Sequence, residues 1–211
     1  VVMVVKVYIS ADLEGVCGVV QTEGPEGADH NLMRRLMTGE VNAAVEGALD
    51  AGAEEVLVND SHGGMRNLLV EELHERALLI TGRPKPLLMM EGIGSGFDAA
   101  CFIGYHAMKG TTQAVLSHTI TGLVNKVVVN GRPLGETGLN AGIAGYFNVP
   151  VALLTGDRAV TEEARKLLGR VETVAVKEAI GRSAARCLSP KRAREMIREA
   201  AKRALSNLQV Y

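Results

Sequence analysis

The sequence predicts an α/β fold: a mostly parallel sheet flanked by helices in three layers, with an inserted β-hairpin. Three observations carry this. Short, nearly continuous apolar runs recur along the chain, the pattern of strands buried on both faces of a parallel sheet. A helical apolar period separates the first two of them, which makes a βαβ unit with a right-handed crossover. Asn130-Gly131, directly after a valine-rich run, is the strongest turn signal present, because this pair accepts the positive φ angles of a type I′ hairpin.

Val1 to Ile9 is rich in β-branched residues and reads as the first strand. From Asp29 to Ala51 the apolar residues Met33, Leu36, Met37, Val41, Ala44, Val45 and Ala48 recur at helical spacing, with Asp29 as N-cap and Gly52 as the stop. Glu55–Asn59 is the second strand, and Ala77–Ile80 and Ala99–Gly104 read as further strands by the same apolar-run criterion. Val124–Val129 leads into the Asn130-Gly131 hairpin. A small-residue helix over Gly138–Phe147, a buried strand at Val151–Leu154 and a helix at Thr161–Leu168 follow. Val171–Val176 alternates and reads as an edge strand. Ser189 as N-cap and Pro190 at the first helical position launch a basic helix to Leu205. Its interleaved Glu195 and Glu199 mark an ordinary solvated face rather than a membrane or calmodulin-like surface.

The chain's 211 residues, 47% of them hydrophobic, suit one domain spanning residues 1–211. With 23 Lys+Arg against 24 Asp+Glu, interspersed along the chain, there is no footprint for nucleic acid or an anionic membrane. Cys17, Cys101 and Cys187 are widely spaced and form no CxxC pair, which excludes a thiolate zinc site or redox motif. The apolar opening is interrupted by Lys6 and is too short to span a bilayer; the reading is a cytoplasmic protein. Three Phe, four Tyr and no Trp leave little material for stacking on bases or sugars, so a substrate must be held mainly by polar and metal contacts.

Open α/β sheets bind ligands beyond the carboxyl ends of their strands. Here the first strand runs into Asp12-Leu13-Glu14-Gly15, the second into Ser61-His62, and the Ala99 strand into Tyr105-His106. Asp12 and Glu14, two apart, point to one side of an extended segment and repel unless a cation lies between them. A lone carboxylate after a strand is more often a helix cap or an arginine partner. Coincidence with two strand-end histidines reverses those odds in favour of a metal. His118 follows a further apolar stretch and can reach the same face, whereas His30 and His74 sit among charged neighbours on the surface. Imidazole and carboxylate without thiolate suit zinc, manganese or iron in a catalytic site; about five such ligands can hold two ions roughly 3.5–4 Å apart that together activate water and polarise a carbonyl or phosphoryl group. Gly92, Gly94 and Gly96 lack the preceding strand and following lysine of a nucleotide loop, and Ser61 and Ser117 sit in no serine-hydrolase elbow.

SADLEG (Ser10–Gly15), VNDSHGGMRNL (Val58–Leu68), GYHA (Gly104–Ala107), LSHT (Leu116–Thr119) and GETGLNA (Gly135–Ala141) together resemble the successive signatures of the M55 metallopeptidases, the D-aminopeptidase family. Five motifs in order along nearly the whole chain are far more specific than any one. The resemblance implies two Zn2+ ions held at Asp12, Glu14, His62, His106 and Glu136, and a catalytic histidine at His118. Of these, Glu136 comes from the resemblance alone; as a residue it reads equally well as a helix N-terminal carboxylate. His118 serves as general acid/base or as nucleophile, the former favoured because imidazole titrates near neutrality. The resemblance further implies removal of N-terminal D-residues, D-alanine above all, from short peptides by a ring-shaped homodecamer. Family members usually carry a C-terminal extension beyond the point where this chain stops, at Tyr211. Two rivals remain: a phosphoesterase using the same ligands, which needs an Arg/Lys cluster for which Arg66 and Lys109 are nearest in sequence, and a peptide-binding protein without catalysis.

Overall fold

The structure, a computed structural model, describes residues 5–22, 28–94 and 96–211. In chain order its main elements are β1 (Val5–Ala11), α1 (Ala28–Asp50), β2 (Ala53–Asp60), β3 (Ala77–Ile80), β4 (Ala99–Tyr105), β5 (Val127–Val129), β6 (Arg132–Leu134) and α2 (Glu136–Tyr146). There follow β7 (Val151–Asp157), α3 (Arg158–Leu168), β8 (Glu172–Gly181), β9 (Ala184–Cys187) and α4 (Pro190–Leu205). The main sheet has the order β3-β2-β1-β4-β7-β8-β9 and is parallel except for β9, while β5 and β6 form a separate hairpin.

Strand alternation divides the core. Val7, Ile9 and Ala11 of β1 and Ala99, Cys101 and Ile103 of β4 face a layer built by Met37, Val41 and Val45 of α1 with Ala193, Ile197 and Ala200 of α4. Tyr8, Ala100, Phe102 and Leu154 face the other way, onto Ala144 of α2 and Val160 and Ala164 of α3. Helices on both faces of a parallel sheet make the three layers the sequence predicts. The first crossover, through α1, lies on one face and the connection from β7 through α3 to β8 on the other. The chain changes direction across the sheet between β1 and β4, and that switch point is where a crevice opens at the carboxyl ends.

Several expectations need correction. Val1–Val4 of the first strand lie outside the described residues, and β1 runs on to Ala11. Asp29 is in the first turn of α1 rather than its cap, since the helix begins at Ala28. Only Val127–Val129 of the valine-rich run is strand; Asn130 and Gly131 have φ of 51° and 79°, as the hairpin requires. The Val171 segment is not an edge: β8 is flanked by β7 and by β9, a short strand whose Ala-Ala-Arg-Cys sequence carries no apolar pattern and is recruited by its hairpin. The Pro190 helix forms as read, with Ser189 Oγ accepting from the Arg192 N–H. Its basic face pairs with acids, Arg198 with Glu46 and Asp50 and Arg203 with Glu172, while its small residues are buried. Among the described residues no helix is long and apolar enough to cross a membrane.

Candidate metal centre

The turn after β1 is stitched to the end of β4: the Asp12 N–H donates to the Ile103 carbonyl and the Gly15 N–H to the Gly104 carbonyl, both at 2.8 Å. Asp12 and Glu14 therefore converge because the chain turns, not because of the pleat of an extended strand. Gly15 is required by close approach, since a Cβ there would lie 1.8 Å from the Tyr105 carbonyl oxygen. Gly104, at φ +72°, has the Asp12 carbonyl against the position its own Cβ would take.

His62 is held through its backbone. Asp60 accepts from the Asn67 and Leu68 N–H groups at 2.5 and 2.7 Å and from the Asn67 side-chain amide, which also donates to the His62 carbonyl. His106 follows β4 directly and is buried. His118 lies in an irregular loop, not at a strand end; the Leu116 N–H donates to the Arg182 carbonyl and an Arg182 guanidinium N–H to the Ser117 carbonyl. Glu136 opens α2, where the helix N-terminus favours its charge, and accepts from the Ile120 N–H at 2.6 Å. Backbone strain surrounds this loop: Leu116 and the β-branched Ile120 both have positive φ, 52° and 64°.

The structure brings all six residues together. His62 Nδ1 is 3.4 Å from Asp12 Oδ1 and 2.9 Å from Glu14 Oε2. His106 Nε2 is 3.6 Å from Asp12 Oδ2 and 3.4 Å from Glu136 Oε1. His118 Nε2 is 3.6 Å from Glu136 Oε1 and 3.9 Å from Glu14 Oε1, and its ring stacks on that of His106 with centroids 4.0 Å apart. Asp12 thus turns one oxygen toward each of two histidines. His30 and His74 belong to no such cluster among the described residues.

Tautomers sharpen the picture. Nδ1 of His106 lies 3.1 Å from the Ala107 carbonyl and Nδ1 of His118 lies 2.9 Å from the Leu116 carbonyl. A carbonyl only accepts, so each Nδ1 carries hydrogen and each Nε2 turns a lone pair toward the carboxylates. Asp12 Oδ2, Glu14 Oε2 and His106 Nε2 are buried with no hydrogen bond among the described residues. Acceptors facing acceptors in a buried site are costly, and a divalent cation satisfies them together. In the absence of an ion, protons take that role. Burial and the neighbouring Glu14 charge push the Asp12 carboxyl up to about 7. Burial works against the charged imidazoles, yet the surrounding carboxylates prevail and raise His62 to about 11 and His106 to about 10. Glu14 goes the other way: its burial is outweighed by His62, and its carboxyl is lowered.

Beneath the cluster lies a polar layer that strand-end reasoning did not reach. Ser10 Oγ contacts Ser61 Oγ at 2.8 Å and the Tyr105 hydroxyl at 2.7 Å, and Asn140 donates to that same hydroxyl. Buried Lys177 of β8 donates to the carbonyls of Glu14, Val16 and Val19, holding the turn that carries the two acids. A lysine directly after the apolar run Val174-Ala175-Val176, within the same strand, was the one signal that could have flagged it. A cavity of about 460 Å3 opens over Asp12, Glu14, His62, His118 and Glu136, walled by Leu87, Met89, Leu139 and Ile143. A larger groove of about 690 Å3 beside α3 contains none of the six residues. Arg66 is exposed and Lys109 donates to the Gly122 carbonyl, and neither lines the site cavity, so the Arg/Lys cluster that a phosphoesterase needs does not form from them.

A parallel α/β sheet with buried carboxylates and imidazoles at its switch point defines a hydrolase whose donors suit divalent cations. Comparison with known proteins agrees. The family model for M55 peptidases, described as D-aminopeptidase, matches residues 5–211. A D-aminopeptidase of Bacillus subtilis (strain 168) is 44% identical over 204 residues, covering 96% of this chain and 74% of that protein. A solved structure, the Zn-dependent D-aminopeptidase DppA from Bacillus subtilis, a self-compartmentalizing protease, has a TM-score of 0.92 and 43% identity, again over 96% of this chain and 74% of that one. The chain belongs to the M55 family of peptidases.

Proposed function

We propose that this chain is a zinc-dependent D-aminopeptidase that removes N-terminal D-residues, D-alanine foremost, from short peptides. The observation that carries the reading is the set of buried, unpartnered acceptors of Asp12, Glu14 and His106, in a chain of this family. Asp12, with an oxygen toward each of His62 and His106, would be the ligand held in common by two ions; Glu14 and His62 would hold one of them, His106 and Glu136 the other. Zinc bound there supplies Lewis acidity, which activates water and polarises the scissile carbonyl.

The protein's own groups do the rest. The Leu116 carbonyl fixes the His118 tautomer, so Nε2 takes a proton from the attacking water and returns it to the departing amine. Its partial exposure lets that proton reach the substrate, whereas His106 is sealed behind it. The apolar walls of the cavity exclude water around the substrate's N-terminal residue. His118→Ala is expected to keep its zinc and lose roughly 10²–10⁴ in kcat, the usual worth of a general acid/base; metal analysis beside the rate assay checks this. Loss of zinc as well would place His118 among the ligands.

The same reading makes the protein a cytoplasmic homo-oligomer, a ring-shaped decamer in its closed form. Its three cysteines are all free, and Ile120 exposes apolar surface at the mouth of the site cavity. Zinc-loaded protein offered paired D- and L-alanyl peptides should release D-alanine and little L-alanine, and chelation should stop the release. Cleavage of the L-peptide alone, or of neither, sinks the assignment.

A further inference from the structure

The metal centre has two mouths. Glu14 and His118 line the apolar cavity already described and also a second recess of about 350 Å3, which reaches Gln21, Thr22, Arg182 and Ser183. A peptide bond held at the cluster must send its two ends in different directions. The linings decide which goes where. The apolar walls of the first cavity, Leu87, Met89, Leu139 and Ile143, suit the N-terminal side chain, and the guanidinium of that cavity, Arg83, donates to the Gly63 carbonyl. The other end of a short peptide carries an α-carboxylate, and Arg182 is the cation of the second recess.

Arg182 is also placed rather than loose. It sits in the β8–β9 turn, and that turn is docked on the catalytic loop by the Leu116 N–H to Arg182 carbonyl bond at 2.9 Å and the Arg182 Nη1 to Ser117 carbonyl bond at 2.7 Å. Its other guanidinium N–H groups have no hydrogen-bond partner among the described residues. A guanidinium offers five donors in a plane, enough to support a carbonyl and still take a carboxylate through two parallel bonds. Ser117 directly precedes His118, so the guanidinium is anchored on the peptide unit that leads into the catalytic imidazole's residue.

We propose that Arg182 binds the C-terminal carboxylate of the leaving peptide, making this recess the subsite that selects leaving groups of one or two residues. The proposal rests on the aminopeptidase reading above. It explains a preference for short peptides through a charge at a fixed distance.

The test compares D-alanylglycine with D-alanylglycinamide on the zinc-loaded protein, in wild type, Arg182→Ala and Arg182→Lys, with zinc content and thermal midpoint measured for each. Wild type should favour the acid by about tenfold in kcat/KM, mostly through KM, the scale of one charge-assisted pair at an exposed site. Arg182→Ala should bring the ratio close to one, and Arg182→Lys should restore part of it. Lengthening the leaving segment with further glycines should erode the wild-type preference. A ratio unchanged by Arg182→Ala overturns the proposal; so does an equal loss on both substrates, which would mean that Arg182 only supports the His118 loop. Equal rates on acid and amide in the wild type would remove the subsite and leave the aminopeptidase reading intact. No cleavage of either substrate would overturn both.

Discussion

Asp12→Asn is expected to leave a folded protein that holds one zinc or none and has lost at least about a thousandfold in kcat/KM, beyond the 10–100-fold typical of an outer partner of a metal ligand. The substitution is isosteric, so the packing of this fully enclosed residue is kept. What changes is the donor set. Among the described residues Asp12 alone pairs a carboxylate oxygen with both His62, at 3.4 Å, and His106, at 3.6 Å, and it appears in two of the three acid-and-histidine groups. An amide nitrogen in place of one oxygen turns hydrogens toward one of those imidazoles, and a cation on that side loses an anionic ligand. Zinc analysis by mass spectrometry of the purified variant, set beside its thermal midpoint, reads the outcome. A variant with full zinc occupancy would show that Asp12 is not shared.

Gly15→Ala should destabilise more than a methyl added at any other described glycine. The new Cβ would meet the Tyr105 carbonyl oxygen at 1.8 Å and the Gly104 carbonyl carbon at 2.6 Å, both backbone atoms of β4 that no rotamer change can move. Overpacking against flexible side chains typically costs about 1–3 kcal/mol, so a rigid overlap of this size should cost about 3 kcal/mol or more. For a domain of this length that lowers the thermal midpoint by roughly 6–12 °C. Gly142→Ala, on an open face of α2, is the matched control and should be neutral or slightly stabilising. If the two variants melt together, the β1 turn does not press on β4 as described.

The regular strands of the sheet were legible because burial on both faces demands unbroken apolar runs, which stand out in sequence. Strand β9 was not, since a four-residue edge paired through a hairpin needs no apolar signature of its own. In the site, Asp12, Glu14, His62 and His106 were proposed from strand ends, and the structure places them together because topology rather than local chemistry positions them. His118 was found by a reason that the structure replaces: no strand precedes it, and a loop tied to Arg182 presents it. Glu136 illustrates the limit. A carboxylate at a helix start is common, so no local pattern singled it out; the family resemblance did, and the fold turns this helix start toward His106. Lys177 and Asp60 act through backbone groups distant in sequence or hidden in turns, which no local pattern encodes.

The residues proposed to bind metal come from four separate stretches of chain, and the distance in sequence from Asp12 to Glu136 covers more than half of its length. Apart from the neighbouring Asp12 and Glu14, no short fragment of the unfolded polymer brings two of these residues together, so forming the centre requires the slow, entropically expensive closure of long loops that parallel strand pairing entails. An ion bound there is consequently a ligand of the native state alone, and its stabilisation is expressed in full, about 2.7 kcal/mol at a free concentration a hundredfold above its dissociation constant. Availability of the metal then governs how long the chain survives as well as how fast it works, and a cell short of zinc would lose the protein to unfolding and degradation along with its activity.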